Sequence, residues 1–330
     1  MGKVNKLAIV GATGLVGRTV MKVLEEENIP NLEYKLFASA NSKGKKIYFM
    51  GKEHIVDELK ETSFDEEIDY AIFSAGGDTS KKYANVASKH GCLVIDNSST
   101  FRMHPDVPLI VPEVNQEEIV NNKGIIANPN CSTIQAVVAL KPLEDLYRLK
   151  RVIYSTYQAV SGAGQSGITD LENTTKGLAP SKFAHPIFNN CIPHIDSFLE
   201  NGYTKEEIKM INETRKILNR PDLRVTATTV RVPVKNCHSE SINIEFEKDF
   251  EIEELKDALR NAPSIIVEDD IFNNIYPLAS NVEGKDEVFV GRIRRDDSVD
   301  SGINLWVVSD NARKGAATNA VQILKKVLKK

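Results

Sequence analysis

Residues 6–27 read KLAIVGATGLVGRTVMKVLEEE. An unbroken apolar run is followed by glycines at 11, 14 and 17, then by Val16, Val20, Val23 and Leu24 at the spacing of one helical face. A strand apolar on both faces, a tight turn and a helix begin a βαβ unit, and that unit builds a parallel sheet. Gly11 and Gly14 let the backbone approach a pyrophosphate, which the free N–H groups and dipole of the helix N-terminus then hold. The spacing is GxxGxxG rather than GxGxxG, so an ordinary glycine-containing turn is the competing reading. The strand–turn–helix context favours dinucleotide binding, with Gly11, Thr13, Gly14, Leu15 and Val16 as cofactor contacts.

Alternation of the same kind continues downstream. EYKLFAS, DYAIFSA (69–75) and GCLVIDNS (91–98) read as strands, with a helical TSKKYANVASKH between the last two. The expected fold is α/β, with an N-terminal Rossmann-type doubly wound parallel sheet. After position 131 the pattern changes. RVIYSTYQAV (151–160) and GINLWVVSDN read as strands, and SESINIEFEKD (239–249) sets Ile242, Ile244 and Phe246 against Asn and Glu. That alternation predicts an α+β domain with a mixed or antiparallel sheet, solvated on one face. EIEELKDALRNA is an amphipathic helix with Ile252, Leu255, Ala258 and Leu259 on one side. The expected division of the 330 residues is a dinucleotide-binding domain over 1–130 and a second domain over 131–311. A terminal helix occupies 312–330, its closing lysines a solvated helix end.

Charge and cysteine usage exclude several functions. A net charge of −4 leaves no electrostatic footprint for nucleic acid. No apolar stretch approaches the roughly 18 residues of a membrane span, and the N-terminus lacks a signal-peptide core. MGKVNK has Lys6 where a myristoylation signal needs Ser or Thr. A cytoplasmic protein is expected. The four cysteines form no CxxC pair, and Cys237-His238 is a lone adjacent pair among scattered histidines. Neither a disulfide framework nor a metal site is expected.

The second strand ends FASANSKGKK. No acidic residue lies between Glu33 and Glu53 to hold a ribose 2′-hydroxyl. Ser39, Asn41, Ser42, Lys43, Lys45 and Lys46 suit a 2′-phosphate, hence NADP, with NAD used at lower efficiency. A solvated loop is the alternative.

NPNCST (128–133) precedes the apolar TIQAVVALKPLEDL. Ser132 and Thr133 are N-cap-type residues, which puts Cys131 at a helix N-terminus. There the dipole favours a thiolate, and N–H groups are available to an oxyanion. A buried structural cysteine is the other reading.

At this point the chain resembles the aspartate-β-semialdehyde dehydrogenases. The likeness rests on GATGLVG (11–17), DNSSTFRM (96–103), VPEVN (111–115), NPNCST (128–133), YQAVSGAG (157–164), EEIKMINETRKIL (206–218), VRVPVKNCHSE (230–240) and DNARKGAA (310–317). The resemblance implies reversible, NADP-dependent reduction of aspartyl phosphate to aspartate semialdehyde through a Cys131 thioester. That reaction serves lysine, threonine, methionine and isoleucine biosynthesis. It implies His238 as acid–base group taking and returning the thiol proton, and Gln158 orienting the acyl intermediate. Arg231 would grip the substrate carboxylate, a task for a bidentate donor, and Glu206 would face its ammonium. Arg102, Lys209 and Asn130 would bind inorganic phosphate, and Ser161, Gly162 and Asn311 the nicotinamide side of the cofactor. A homodimer or tetramer is implied, with 131–311 as the catalytic and dimerisation domain and the helix over 312–330 returning to the first domain. Read without the resemblance, EEIK is a solvated helical face. The chain departs from the family at Asn41, where many members carry Arg. An acyl-phosphate reductase for another side chain, or a dinucleotide-binding regulator without chemistry, are the competing functions.

Overall fold

The computed structural model describes residues 4–328. Two compact units are present. One runs to Pro129 and resumes at Ala316; the other is Asn130–Gly315. The readings for Met1–Lys3, Lys329 and Lys330 lie outside the described residues.

In the first unit the strands are β1 (Asn5–Val10), β2 (Leu32–Ala38), β3 (Lys46–Phe49), β4 (Lys52–Ile55), β5 (Asp57–Glu58), β6 (Tyr70–Phe73), β7 (Leu93–Asp96) and β8 (Ile125–Ala127). Six of them form one parallel sheet in the order β5-β2-β1-β6-β7-β8, while β3 and β4 pair as a hairpin. The doubly wound expectation holds. Leu7, Ala8, Ile9 and Val10 are fully buried, as a strand covered on both faces requires. The helices α1 (Leu15–Glu27) and α2 (Gly77–Lys89) follow β1 and β6, and α3 (Pro112–Asn115) is a single turn. Strand order reverses at β1, whose neighbours are β2 and β6, so the glycine turn after β1 sits where such sheets bind ligands.

The glycines of that turn have separate duties. Gly11 has φ +86°, and a Cβ there would lie 2.8 Å from the Ser74 carbonyl oxygen. A Cβ on Gly17 would run into the carbonyl oxygen of Gly11. Gly11 therefore makes the bend, and Gly17 allows α1 to pack on the turn.

In the second unit α4 (Cys131–Tyr147) leads into β9 (Leu149–Gln158). Then come α5 (Gln165–Thr174), α6 (Lys205–Ile217), β10 (Arg224–Arg231), β11 (His238–Phe246), α7 (Ile252–Asn261), β12 (Ile265–Val267), α8 (Ala279–Val282), β13 (Val288–Arg295) and β14 (Gly302–Ser309). The sheet order is β10-β9-β11-β14-β13-β12. It is mixed: β10 with β9 and β12 with β13 are parallel, the other pairs antiparallel. Along β11 the expected alternation buries Ile242, Ile244 and Phe246, and in the same register it buries His238 and Glu240. Polar residues on a buried face mark the end of the sheet where the site lies.

The chain re-enters the first unit through a π-helical turn, Arg313–Ala317, before α9 (Thr318–Leu328). The continuous terminal helix read from the sequence is thus broken at its start. Ala320, Val321, Ile323 and Leu324 of α9 share a core with Val20 and Leu24 of α1.

Gly17→Ala should destabilise the protein by about 1–3 kcal/mol, the usual cost of overpacking. A urea midpoint equal to the parent's would show that α1 can move away from the turn.

Candidate active site

The nucleophile candidate is set by its predecessor. Asn130, not Ser132 or Thr133, caps α4: its Oδ1 accepts the N–H of Ser132 at 3.0 Å and of Thr133 at 3.4 Å. Ser132 and Thr133 lie inside the helix with their hydroxyl oxygens buried. The cap is local because an Asn side chain reaches two and three residues ahead. Two carboxylates of α6 fix the rest of Asn130. Its N–H donates to Glu213 at 2.7 Å and its Nδ2 to Glu206 at 2.9 Å. Cys131, partly exposed, is therefore the first residue of a firmly capped helix. Gly315 lies against it, and a Cβ there would be 2.9 Å from the Cys131 Cβ.

His238 opens β11 and is fully buried. Its Nε2 stands 3.2 Å from the Cys131 Sγ, and its Nδ1 accepts the N–H of Ala159 at 3.0 Å. Burial, reinforced by the Arg231 guanidinium, pushes its pKa down to about 3. The preceding residue, Cys237, has φ +71°, costly for a side chain with a Cβ. Asn311 holds that turn by accepting the Cys237 N–H at 2.9 Å, and its Nδ2 donates to Ser161 Oγ at 3.0 Å. In this chain Asn311 and Ser161 thus brace the backbone that presents His238. Gln135 adds a bond from its Nε2 to the His238 carbonyl.

Gln158 and Arg231 end β9 and β10 as register partners in a parallel pair, which places them side by side. Gln158 Oε1 accepts the Thr156 hydroxyl at 3.0 Å, and its Nε2 donates to Glu206 at 3.1 Å, so its amide orientation is fixed. Arg231 donates from Nη1 to the Ala159 carbonyl at 2.7 Å, while its buried Nε has no hydrogen-bond partner. An orphaned guanidinium donor calls for an acceptor such as a carboxylate. Gly162 leaves room here, since a Cβ would fall 2.8 Å from Arg231 Nη1 and 3.0 Å from His238 Cε1.

Glu206 is buried, which works against its charge. Lys209 and the amides of Asn130 and Gln158 outweigh that and hold the carboxyl below the ordinary range. Lys209 bridges Glu206 at 3.1 Å and Asp196 at 2.8 Å, so EEIK is not the solvated face that its sequence suggests. Glu240, on the same buried face as His238, is driven the other way. Burial, with Glu206 nearby, pushes its pKa well up, and neither carboxyl oxygen has a partner.

In the first unit, the N-cap of α1 is Gly14, which offers no side-chain cap and leaves the leading N–H groups to a ligand. Leu15 and Val16 are half-buried in its first turn, and Thr13 Oγ1 meets Ser42 Oγ at 3.2 Å, joining the glycine turn to the loop after β2. Ser39 and Asn41 are exposed. The loop's lysines are less available than the sequence implied. Lys46 pairs with Glu53 at 2.9 Å, and Lys43 lies 3.9 Å from Glu58. Arg102 is buried, donating to the backbone carbonyls of Asn128 at 2.9 Å and Asn97 at 2.8 Å. The sequence reading passed over Glu213, Ala159 and Gly315 as site residues. Glu213 lies seven residues after Glu206, a helical repeat that could have marked it; Ala159 acts through its backbone and leaves no side-chain signal.

The imidazole of His238 takes a proton near 6.5 when unfolded but only near 3 when folded. Between those values the unfolded chain binds more protons, so stability rises with pH. This contribution is complete above 6.5 and is lost as pH falls towards 3. His238→Gln should flatten the dependence of the urea midpoint over about pH 4 to 7. Parallel curves for variant and parent would contradict the buried neutral imidazole.

Family models described as semialdehyde dehydrogenase, NAD binding domain, and semialdehyde dehydrogenase, dimerisation domain, match residues 6–122 and 140–314. The aspartate-semialdehyde dehydrogenase of Aquifex aeolicus is 57% identical over 334 residues, covering 98% of both chains. The crystal structure of aspartate semialdehyde dehydrogenase II complexed with ASA, from Vibrio cholerae, is similar with a TM-score of 0.95 and 45% identity over 99% of both chains. The Candida albicans enzyme with NADP gives a TM-score of 0.77 and 26% identity, again over 99% of both chains. With both halves of the chain matched and the thiol, imidazole and guanidinium brought together, this chain belongs to the aspartate-semialdehyde dehydrogenase family.

Proposed function

We propose that this chain reduces L-aspartyl 4-phosphate to L-aspartate 4-semialdehyde, reversibly and with NADP, through an acyl thioester on Cys131. The observation that carries this reading is the Cys131 thiol at the head of a capped helix, 3.2 Å from His238. The Vibrio cholerae relative complexed with ASA supports the substrate. NADP supplies or accepts the hydride when bound, and the Candida albicans relative with NADP supports that cofactor.

Each remaining residue then has a task. Cys131 Sγ gives its proton to His238 and adds to the acyl carbon, the helix N–H groups face the oxyanion that forms, and the phosphate leaves as the carbonyl closes again. Arg231 takes the α-carboxylate with the donor that its own protein leaves unpaired. Glu206 takes the ammonium: an ionised carboxylate has about four acceptor positions, and Asn130, Gln158 and Lys209 use three. Gln158, locked by Thr156 and Glu206, orients the acyl group. Arg102 and Lys209 bind the phosphate; Asn130, whose amide is committed to Glu206 and the helix, serves them by holding the frame.

Gly11, Thr13, Gly14, Leu15 and Val16 contact the cofactor diphosphate, and Ser39, Asn41 and Ser42 its 2′-phosphate. Ser161, Gly162 and Asn311 lie on the nicotinamide side. The uncapped N-terminus of α1 and the positive φ of Gly11 fit a diphosphate. With Lys43 and Lys46 drawn to carboxylates, the NADP preference rests on hydroxyls and weakly held charge. It is moderate, and NAD is used at lower efficiency. The protein works in the cytoplasm as a homodimer; the dimerisation-domain match and the half-exposed Tyr157–Trp306 ring pair, 5.5 Å apart, support the dimer.

Phosphate-dependent reduction of NADP by aspartate semialdehyde tests the reaction. Cys131→Ser should nearly abolish it, and intact-mass measurement during turnover should find the acyl adduct on Cys131. An adduct on Cys92, Cys191 or Cys237 would overturn the assignment. Arg231→Lys should weaken semialdehyde binding by about 1.5–3 kcal/mol through loss of the fork, while Arg102→Ala should raise the KM for phosphate more than that for the semialdehyde. Exchanged effects would swap the two roles. Ser39→Asp should collapse the NADP preference, and added salt should narrow it in the parent by screening the loop. A parent that prefers NAD would refute the loop's role.

A further inference from the structure

Between α5 and α6 the described chain runs over 175–204 without a helix or strand. A loop of that length in a compact unit needs its own fastenings. The first is Asp170, on α5 and fully buried. Its Oδ1 accepts the N–H and the hydroxyl of Ser181, each at 2.8 Å. Its Oδ2 accepts the N–H groups of Lys182 at 2.7 Å and Phe183 at 2.9 Å. All four acceptor positions of an ionised carboxylate are thus spent on three consecutive residues. Burial works against that charge, but the donors of Phe183, Ser181 and Lys182 outweigh it and hold the pKa down at about 2. One turn along the same face of α5, Thr174 Oγ1 accepts the N–H of Phe188 at 3.2 Å. Farther on, Ile192 and Arg231 exchange N–H to carbonyl bonds of 2.8 Å in both directions.

The fastened segment delivers one side chain to the site. Arg231 Cζ lies over the Phe183 ring, 5.9 Å from its centroid and within reach of cation–π attraction. Phe183 is half-buried although the residues on either side of it are exposed. We propose that Phe183, seated by Asp170, is a positioning residue that covers one face of the Arg231 guanidinium and fixes the plane in which that group meets a carboxylate. This rests on the reading of Arg231 as the carboxylate site. A guanidinium donates only in its own plane, so a carboxylate held by two of its N–H groups has to lie in that plane as well. One edge is held already: Nη1 donates to the Ala159 carbonyl, and Gly162 lies close against it. Tilting about that edge is the freedom that remains, and an aromatic ring on the face opposes it. The buried Nε, which has no partner in the protein, then presents its N–H in a set direction. Phe183 and Asp170 make and break no bond in the reaction; they act through Arg231.

Phenylglyoxal adds to accessible guanidinium groups and reads the cover without substrate. Labelling of Arg231, followed by peptide mass, should be slow in the parent and in Phe183→Tyr. It should run about fivefold faster or more in Phe183→Ala and in Asp170→Asn. Asparagine keeps the shape of Asp170 but turns an NH2 group toward backbone donors, so it releases the segment. A parental rate in Phe183→Ala overturns the proposal, whether or not Asp170→Asn folds. Turnover gives a second measure. Phe183→Leu, similar in bulk but without a π face, should raise the KM for aspartate semialdehyde about tenfold, the scale of a desolvated cation–π contact. Its kcat should stay within about threefold of the parent's, and the KM values for phosphate and NADP should not move. Added to Arg231→Lys, the same substitution should raise the KM by less than about twofold, because residues that act as a unit do not add. A full tenfold rise in that background would show Phe183 acting apart from Arg231 and would overturn the proposal. If labelling follows the expected pattern but aspartate semialdehyde is not turned over, the proposed substrate fails and the role of Phe183 stands.

Discussion

The peptide at Ala159 holds the site together. Its N–H goes to His238 and its carbonyl to Arg231, so one residue sets both the imidazole beside Cys131 and the guanidinium next to it. It can do so because β9 ends at Gln158, between β10 and β11 in the sheet. Past the last ladder bond the backbone turns, with φ −62° and ψ 149° at Ala159, and its polar groups are released to neighbouring side chains. Gly162 then keeps this corner open where a methyl group would press on both.

A second constraint is electrostatic. The site gathers Glu206, Lys209, Arg231 and His238 with little exposure to solvent, and isolated charges there would be expensive. Glu206 removes most of that cost by accepting from Lys209, Asn130 and Gln158 at once. The same carboxylate secures the cap of α4 and the amide of Gln158, so charge compensation and the placement of Cys131 are one network. Two groups stand outside it. His238 meets burial by staying neutral, and Glu240 by keeping its proton. Arg231 retains an unpaired buried Nε, a local deficit of the kind found where a ligand completes the structure.

The sequence by itself determined the two-part α/β architecture and, by its motifs, the family. The apolar run into GATGLVG admits few folds, and the period-two pattern of β11 fixed which residues face inward. Cys131, Gln158, Arg231 and His238 stood out by motif, and the structure brings all four to one end of one sheet. Strands of two or three residues, such as β5, β8 and β12, carried too few positions for a period to show. The cap was misplaced because Asn, Ser and Thr are alike as N-caps, and only backbone geometry selects Asn130. Tertiary structure decided the rest, because the deciding contacts join residues far apart in the chain. Pairing of β5 with the end of β2 brought Glu58 beside a loop that reads as free of acid, tempering its positive charge. Packing of α6 turned an apparently solvated EEIK into a buried carboxylate network. The ring of His238 is held by a backbone N–H 79 residues away in the chain, a donor that every residue but proline carries and no motif can reveal.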